Sequence, residues 1–186
     1  MKKSYTITAF SENHVGLLNR ITIIFTRRHV NIESLTVSAS SIKGIHKFTI
    51  VVHDTKEMVE KVVSQIEKLV EVLKAYYHTD SEIIYQEIAL YKVPTKAMLE
   101  SNTLEKTIRD HNARILEITP EFAVIEKTGH KEDTKELFDI LSKYGVRQFT
   151  RSGRVAITRS NKELLSTYLK EVDKAQSIHI NDTINN

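Results

Sequence analysis

The apolar positions change period several times along the chain, and each change marks an element. Residues 5–10 alternate, with Tyr5, Ile7 and Ala9 on one side and Thr6, Thr8 and Phe10 on the other, which predicts a strand with one buried face. Over 15–28 the period lengthens. Leu17, Leu18, Ile21, Ile24 and Phe25 recur at i, i+3/i+4 as the stripe of a buried helix, while Asn19, Arg20 and Arg27 face away. His29 to Asn31 breaks that period, 32–40 is rich in β-branched residues, and Gly44 marks the turn into a third strand over 45–52. Asp54 with Glu57 three residues on reads as a capping box. The helix it opens puts Val59, Val62, Val63, Ile66 and Leu69 on one face, and a strand over 70–77 closes the unit.

Strand, helix, strand, strand, helix, strand, with two right-handed crossovers, is the ferredoxin-like arrangement: both helices on one face of an antiparallel sheet with open edges. A small domain of this kind often completes itself by pairing with a copy. Residues 78–82 (HTDSE) are polar and aperiodic and read as a linker. The same grammar then repeats more faintly. A strand over 83–93 is stopped by Pro94, and a helix over 95–111 carries a thin stripe of Met98, Leu99, Leu104 and Ile108. A hairpin of 115–119 and 122–127 turns about Pro120-Glu121. A helix over 131–144 has Leu137, Ile140 and Leu141 inward and Gly145 at its C-cap, and strands over 146–150 and 155–158 flank Arg151-Ser152-Gly153. Asn161 starts a tail helix striped by Leu164, Leu165, Tyr168, Leu169 and Val172, and after Ala175 the composition turns polar. The expected class is therefore α+β: two ferredoxin-like βαββαβ domains, at 1–77 and 83–160, and a C-terminal helix within 161–186.

Composition narrows the function. The 186 residues can bury a core without staples, and 40% hydrophobic with 27% charged residues reads as a soluble globular protein. The absence of cysteine excludes disulfides, thiol catalysis and thiolate-held metal. No stretch approaches the roughly 20 apolar residues of a membrane span, and the first residues lack a signal-peptide apolar run. A cytoplasmic protein, not bound to a membrane, is expected. A formal net charge of +3 is too small and dispersed for a nucleic-acid groove. The densest basic cluster, Thr26-Arg27-Arg28-His29, closes a helix, where cations suit the dipole in a structural or interface role.

Candidate chemistry concentrates in SENHVGLL at 11–18. Asn13 suits a helix N-cap, and Gly16, lacking a Cβ, lets a ligand approach the backbone. The free N–H groups and positive dipole end of the helix suit a carboxylate beside Leu17 and Leu18, a seat for a small amphipathic anion such as an amino acid. An ordinary capped helix is the alternative. Catalytic signals are thin. The eight histidines include no i, i+4 pair on a predicted helix, and GxSxG and GxGxxG are absent. Ser11, Glu12 and His14 are neighbours in sequence only, which is weak evidence for a triad.

ENHVGLLNRITIIFTRRHVNIESLTV followed by KFTIVV resembles the N-terminal ACT domain of the acetolactate synthase (acetohydroxyacid synthase) small-subunit family. The family pattern is Glu-Asn, a short variable stretch, Gly-Val-Leu, a helix ending in Arg-Arg-Gly, then Asn-Ile-Glu-Ser-Leu, which here is Asn31 to Leu35. ARILEITPE and RSGRVAITR extend the resemblance to about residue 160, and the tail helix lies outside it.

The resemblance implies a non-catalytic regulatory subunit that activates a large catalytic subunit and confers feedback inhibition by valine, with leucine and isoleucine as alternative effectors. Thiamine diphosphate, Mg and FAD would sit on the catalytic subunit, with no cofactor in this chain. It further implies a homodimer through paired ACT domains with the effector at their interface. Asn13, Val15, Gly16, Leu17 and Leu18 would form one wall, and Asn31 and Ile32 from the neighbouring protomer the other. The two asparagine amides offer donors and acceptors for both the ammonium and the carboxylate. His14, Val15 and His29 depart from the family pattern and bear on loop conformation and effector choice more than on fold. A second reading, an amino-acid-responsive transcription regulator, would need a helix-turn-helix or basic arm, and neither half offers one.

Overall fold

A computed structural model describes residues 1–100, 102–161 and 165–170. The chain divides into two compact units, one of Met1–Ile84 together with the chain from Ile157, the other Tyr85–Ala156. The first unit runs β1 (Lys3–Glu12), α1 (Leu17–Arg27), β2 (Ile32–Ala39), β3 (Ile45–Asp54), α2 (Lys56–Ile66) and β4 (Val72–Thr79). Its strands lie in the order β2-β3-β1-β4, each neighbouring pair antiparallel, so the first strand is central and the second is an edge. The second begins with β5 (Ile83–Pro94), α3 (Thr95–Glu100), α4 (Asn102–Asp110) and β6 (Arg114–Ile118). It continues with β7 (Phe122–Gly129), α5 (Lys131–Leu141), β8 (Gln148–Arg151) and β9 (Val155–Thr158). The order β6-β7-β5-β8 repeats the first pattern, and β9 also pairs with β5. The expected α+β class with two βαββαβ sheets is what the chain adopts.

The predicted stripes account for most of the core. Leu17, Ile21 and Phe25 of α1 and Val59, Val62 and Ile66 of α2 are at most 2% exposed and cluster with Ile7, Ala9, Ile50 and Val52 of the sheet. In the second unit Leu104, Ile108, Leu137 and Leu141 meet Ala89, Tyr91, Val93 and Ile125. Tyr91, fully buried, donates its hydroxyl to the Thr134 carbonyl at 2.6 Å, and burial pushes its phenol up to about 12.

Several expectations need correction. Strand β1 is covered on both faces: on the side opposite Ile7 and Ala9, Thr6 is fully buried and Phe10 nearly so. Threonine reads as polar in the pattern, yet its γ-methyl packs well on a covered pleat. The α2 cap is Thr55, whose hydroxyl accepts from the Met58 N–H at 3.3 Å, while Asp54 receives the Thr55 N–H. Leu69 lies beyond the helix but still packs on the core. The linker is ordered structure. Strand β4 runs through His78 and Thr79, and 80–82 form a 3₁₀ turn in which the Thr79 N–H and hydroxyl both donate to Glu82 at 2.7 Å. Of the helix expected over 95–111, α3 covers Thr95–Glu100 and α4 covers Asn102–Asp110, residue 101 lies outside the described residues, and Leu99 of the expected stripe is 81% exposed. Helix α5 ends at Leu141, and a 3₁₀ turn carries the chain to Gly145 in the left-handed region. The tail is helical over 165–170 with Leu165 buried, while Leu164 and Val172 lie outside the described residues.

Both units end the helix after their first strand in the same way. At α1 the N–H of Val30 returns to the Phe25 carbonyl (3.0 Å) and that of His29 to Thr26 (3.1 Å), a Schellman turn with His29 at φ 54. After α4, Ala113 returns to Ile108 and Asn112 to Arg109, with Asn112 at φ 51. Asparagine and histidine are among the commoner non-glycine residues in this region, yet each carries a strain there that glycine does not.

His29→Gly is therefore expected to stabilise the protein by about 0.5–1 kcal/mol, a rise of a few degrees in thermal midpoint. A lower midpoint would show that the His29 side chain contributes more than its strain costs. A second expectation concerns His78, whose imidazole is held below its ordinary value of 6.5 by burial, with Glu82 pulling the other way. The unfolded chain takes up that proton first, so this contribution is full above pH 6.5 and declines as pH falls below it. Denaturation between pH 7.5 and 5.5 should show a shallower loss in His78→Gln than in wild type.

Candidate functional site

The exit of the central strand builds the site. Between Phe10 and Ser11 the pairing of β1 with β4 shifts register, and Glu12 and Asn13 hand their N–H groups to the carbonyls of Glu71 (3.0 Å) and Gly44 (3.1 Å). The chain then turns. The Leu17 N–H reaches the His14 carbonyl at 3.3 Å, and Gly16 takes φ 83, ψ −6, the third position of a type II turn and one that favours glycine. Gly16, not Asn13, is the N-cap of α1, and no side chain caps it. The intervening turn holds Asn13 too far upstream, and its amide has no hydrogen-bond partner among the described residues.

The N–H groups of Val15, Gly16, Leu18 and Asn19 are likewise without acceptors among the described residues, at the positive end of an 11-residue helix. Val15 is 96% and Leu18 46% exposed, beside the exposed Asn13, His14 and Gly16. A Cβ placed on Gly16 would meet nothing within 4 Å, so backbone conformation, not crowding, selects glycine there. Leu18, expected in the buried stripe, is exposed instead, whereas Leu17 follows the stripe. Leu17 is 2% exposed within the core and its N–H is spent on the turn, so it supports the loop from beneath. The exposed apolar surface belongs to Val15 and Leu18.

The other two candidates, Asn31 and Ile32, sit at the start of β2. Asn31 donates its amide to Glu33 at 3.0 Å, and Ile32 is half-buried against the core. The register separates them from the first group. Ile32 pairs with Val52, which pairs with Tyr5, whereas Ala39 pairs with His46, which pairs with Ser11. Asn31 and Ile32 are thus level with one end of β1 and the Asn13–Leu18 turn with the other, about 20 Å away at the usual rise per residue. One chain does not bring the two groups together.

Around the turn, Arg20 on α1 donates to Glu71. The own backbone N–H of Glu71, then Arg20, with a smaller pull from His14, holds that carboxyl below the usual carboxylate range. The sequence offers no sign of this pair, 51 residues apart. The Ser11 hydroxyl, fully buried, donates to the Glu12 carbonyl at 3.0 Å, and His14 Nδ1 faces the Val15 carbonyl at 3.0 Å. Each is engaged locally. Among the described residues no group of three or more His, Asp or Glu side chains could hold a metal ion, and no helix is long and apolar enough to cross a membrane.

Comparison with known proteins agrees with this architecture. Residues 7–74 match the model of the AHAS small subunit-like ACT domain, and 86–160 match that of the small subunit of acetolactate synthase. The acetolactate synthase small subunit of Bacillus subtilis is 33% identical over 168 residues, 90% of this chain and 96% of that protein. A probable acetolactate synthase small subunit of Archaeoglobus fulgidus is 33% identical over 159 residues, 86% of this chain and 99% of its own. The crystal structure of the small subunit from Thermotoga maritima superposes with TM-score 0.77 at 26% identity, over 86% of this chain and 99% of that one.

Because Gly16 is selected by its backbone angle in open space, Gly16→Ala should cost about 1 kcal/mol in denaturant unfolding, and Gly16→Asn less. A cost of several kcal/mol would mean that the turn is sterically enclosed.

Proposed function

The chain belongs to the acetolactate synthase small-subunit family, and on that premise we propose that it is the regulatory partner of the large catalytic subunit, activating it and imposing feedback inhibition by valine. The observation that carries the reading is the division of the site. An exposed turn with four free N–H groups lies at one end of the sheet, and Asn31 and Ile32 lie at the other end of an edge strand.

A twofold axis resolves that division. If β2 pairs antiparallel with β2 of a second copy, the start of one strand lies beside the end of the other, which carries the partner's Asn31 and Ile32 to the Asn13–Leu18 end. Pairing also satisfies an unpaired strand edge and covers Val37, 39% exposed. Each dimer then holds two equivalent seats. The N–H groups of Val15, Gly16, Leu18 and Asn19 receive the carboxylate, and the amides of Asn13 and the partner's asparagine complete the polar shell. The valine side chain lies against Val15, Leu18 and the opposing isoleucine. Burying it contributes roughly 1.5–3 kcal/mol, a large share of the about 5 kcal/mol that sub-millimolar binding requires.

Chemistry on the substrate, with thiamine diphosphate, Mg and FAD, belongs to the catalytic partner. This chain supplies a coupling free energy. Valine inhibits to the extent that it binds the less active arrangement better, typically by about 1–3 kcal/mol. The second unit, and the helix at 165–170, supply the surface that touches the catalytic subunit.

Calorimetric titration with valine, leucine and isoleucine should give saturable binding near one per chain, lost in Asn13→Ala. In the reconstituted complex, Asn13→Ala and Gly16→Asp should abolish valine inhibition while activation of the catalytic subunit persists. Loss of both properties together in a folded variant would refute the division of labour between the units.

A further inference from the structure

The effector seat has little bracing of its own. Residues 13–16 are exposed, Gly16 touches nothing on its open side, and α1 lacks a side-chain cap. The geometry of its four free N–H groups therefore depends on how the end of β1 and the first turns of α1 are held relative to each other. Glu71, in the connection between α2 and β4, grips both. Its carbonyl accepts the N–H of Glu12, the last residue of β1, at 3.0 Å. Its carboxylate accepts the guanidinium of Arg20, whose own N–H closes the first helical turn onto the Gly16 carbonyl at 3.2 Å. The Glu71 side chain is only 15% exposed against 44% for Arg20. A half-shielded pair of this kind holds its geometry better than a solvent-exposed one.

We propose that Glu71 is a positioning residue for the effector seat: through Arg20 it fixes the angle between the end of β1 and the start of α1, and so presents the backbone donors preformed. It touches no ligand. The neighbours facing the pair share this task unequally. Asn13 is tied to Gly44 by one backbone bond, and His14 adds only its field at the carboxylate. The consequence for regulation rests on the effector reading given above, because a looser seat must be ordered at the moment of binding and so binds more weakly.

The test uses the full chain, alone and reconstituted with its catalytic subunit. Glu71→Gln keeps the shape and the backbone bond while removing the charge, and Arg20→Gln removes the other partner. The double exchange Arg20→Glu with Glu71→Arg restores a pair of reversed sign. Either single variant should speed hydrogen exchange of the bonded amides of Glu12, Asn13, Leu17 and Arg20 about tenfold in ligand-free protein and weaken valine binding about three- to tenfold. Activation of the catalytic subunit should be unchanged, and the double exchange should recover both measures. A structural defect alone would lower the melting point without this recovery. Unchanged exchange and unchanged affinity in both single variants would overturn the proposal, as would a defect that the double exchange leaves in place. Faster exchange in a chain whose wild type binds none of the three amino acids, free or in complex, would sustain the positioning role and overturn the effector reading instead.

Discussion

The left-handed turn at Gly16 is the constraint on which the junction depends. Strand β1 is central and covered on both faces, so its chain must leave the sheet abruptly and enter α1 at once. A type II turn with φ 83 achieves this in three residues, at the expense of leaving the helix without a side-chain cap. The uncapped N–H groups that result are both an unsatisfied requirement of the backbone and the resource that an anionic ligand can use. Structure and candidate chemistry share one cause here.

The repeat in the second unit shows which parts of that solution belong to the fold. Strand order, helix placement and the Schellman turn after the first crossover recur, down to a non-glycine residue with positive φ at His29 and Asn112. The exit turn does not recur. Strand β5 ends at Pro94 and leads directly into α3, where the Thr95 hydroxyl is spent on the Thr119 carbonyl. Among the described residues the left-handed exit turn with its open N–H groups is a feature of the first unit.

In the dimer proposed above, symmetry would supply what one chain lacks. An edge strand with exposed apolar residues is a liability in a monomer and an interface in a dimer. The registers of β1 and β2 against β3 place the two halves of the candidate site about six residue steps apart, a separation that an antiparallel copy reverses. In that dimer, a ligand held by both copies would bias how they sit together, which is how an effector would regulate.

The sequence by itself determined the order of elements and the core. Periods of two and of 3.6 residues are properties of local backbone geometry, so Ile7, Leu17, Ile21, Phe25, Val59, Val62 and Ile66 announce their burial wherever the chain goes. It also pointed to the 11–18 junction, because Asn13 as a cap candidate and Gly16 just before an apolar stripe mark the start of a helix. Which residue caps that helix was not legible. Asn13 and Gly16 are both competent, and the choice was made by the bonds of Glu12 and Asn13 to Glu71 and Gly44, far away in sequence. The inward turn of Leu17 against the outward turn of Leu18, the covering of Thr6 and Phe10, and the Arg20–Glu71 pair were likewise decided only in three dimensions. The physical reason is the same for each. Periodicity reports a residue's neighbours along its own element, whereas caps, ion pairs and the covering of a second sheet face depend on which distant elements arrive beside it.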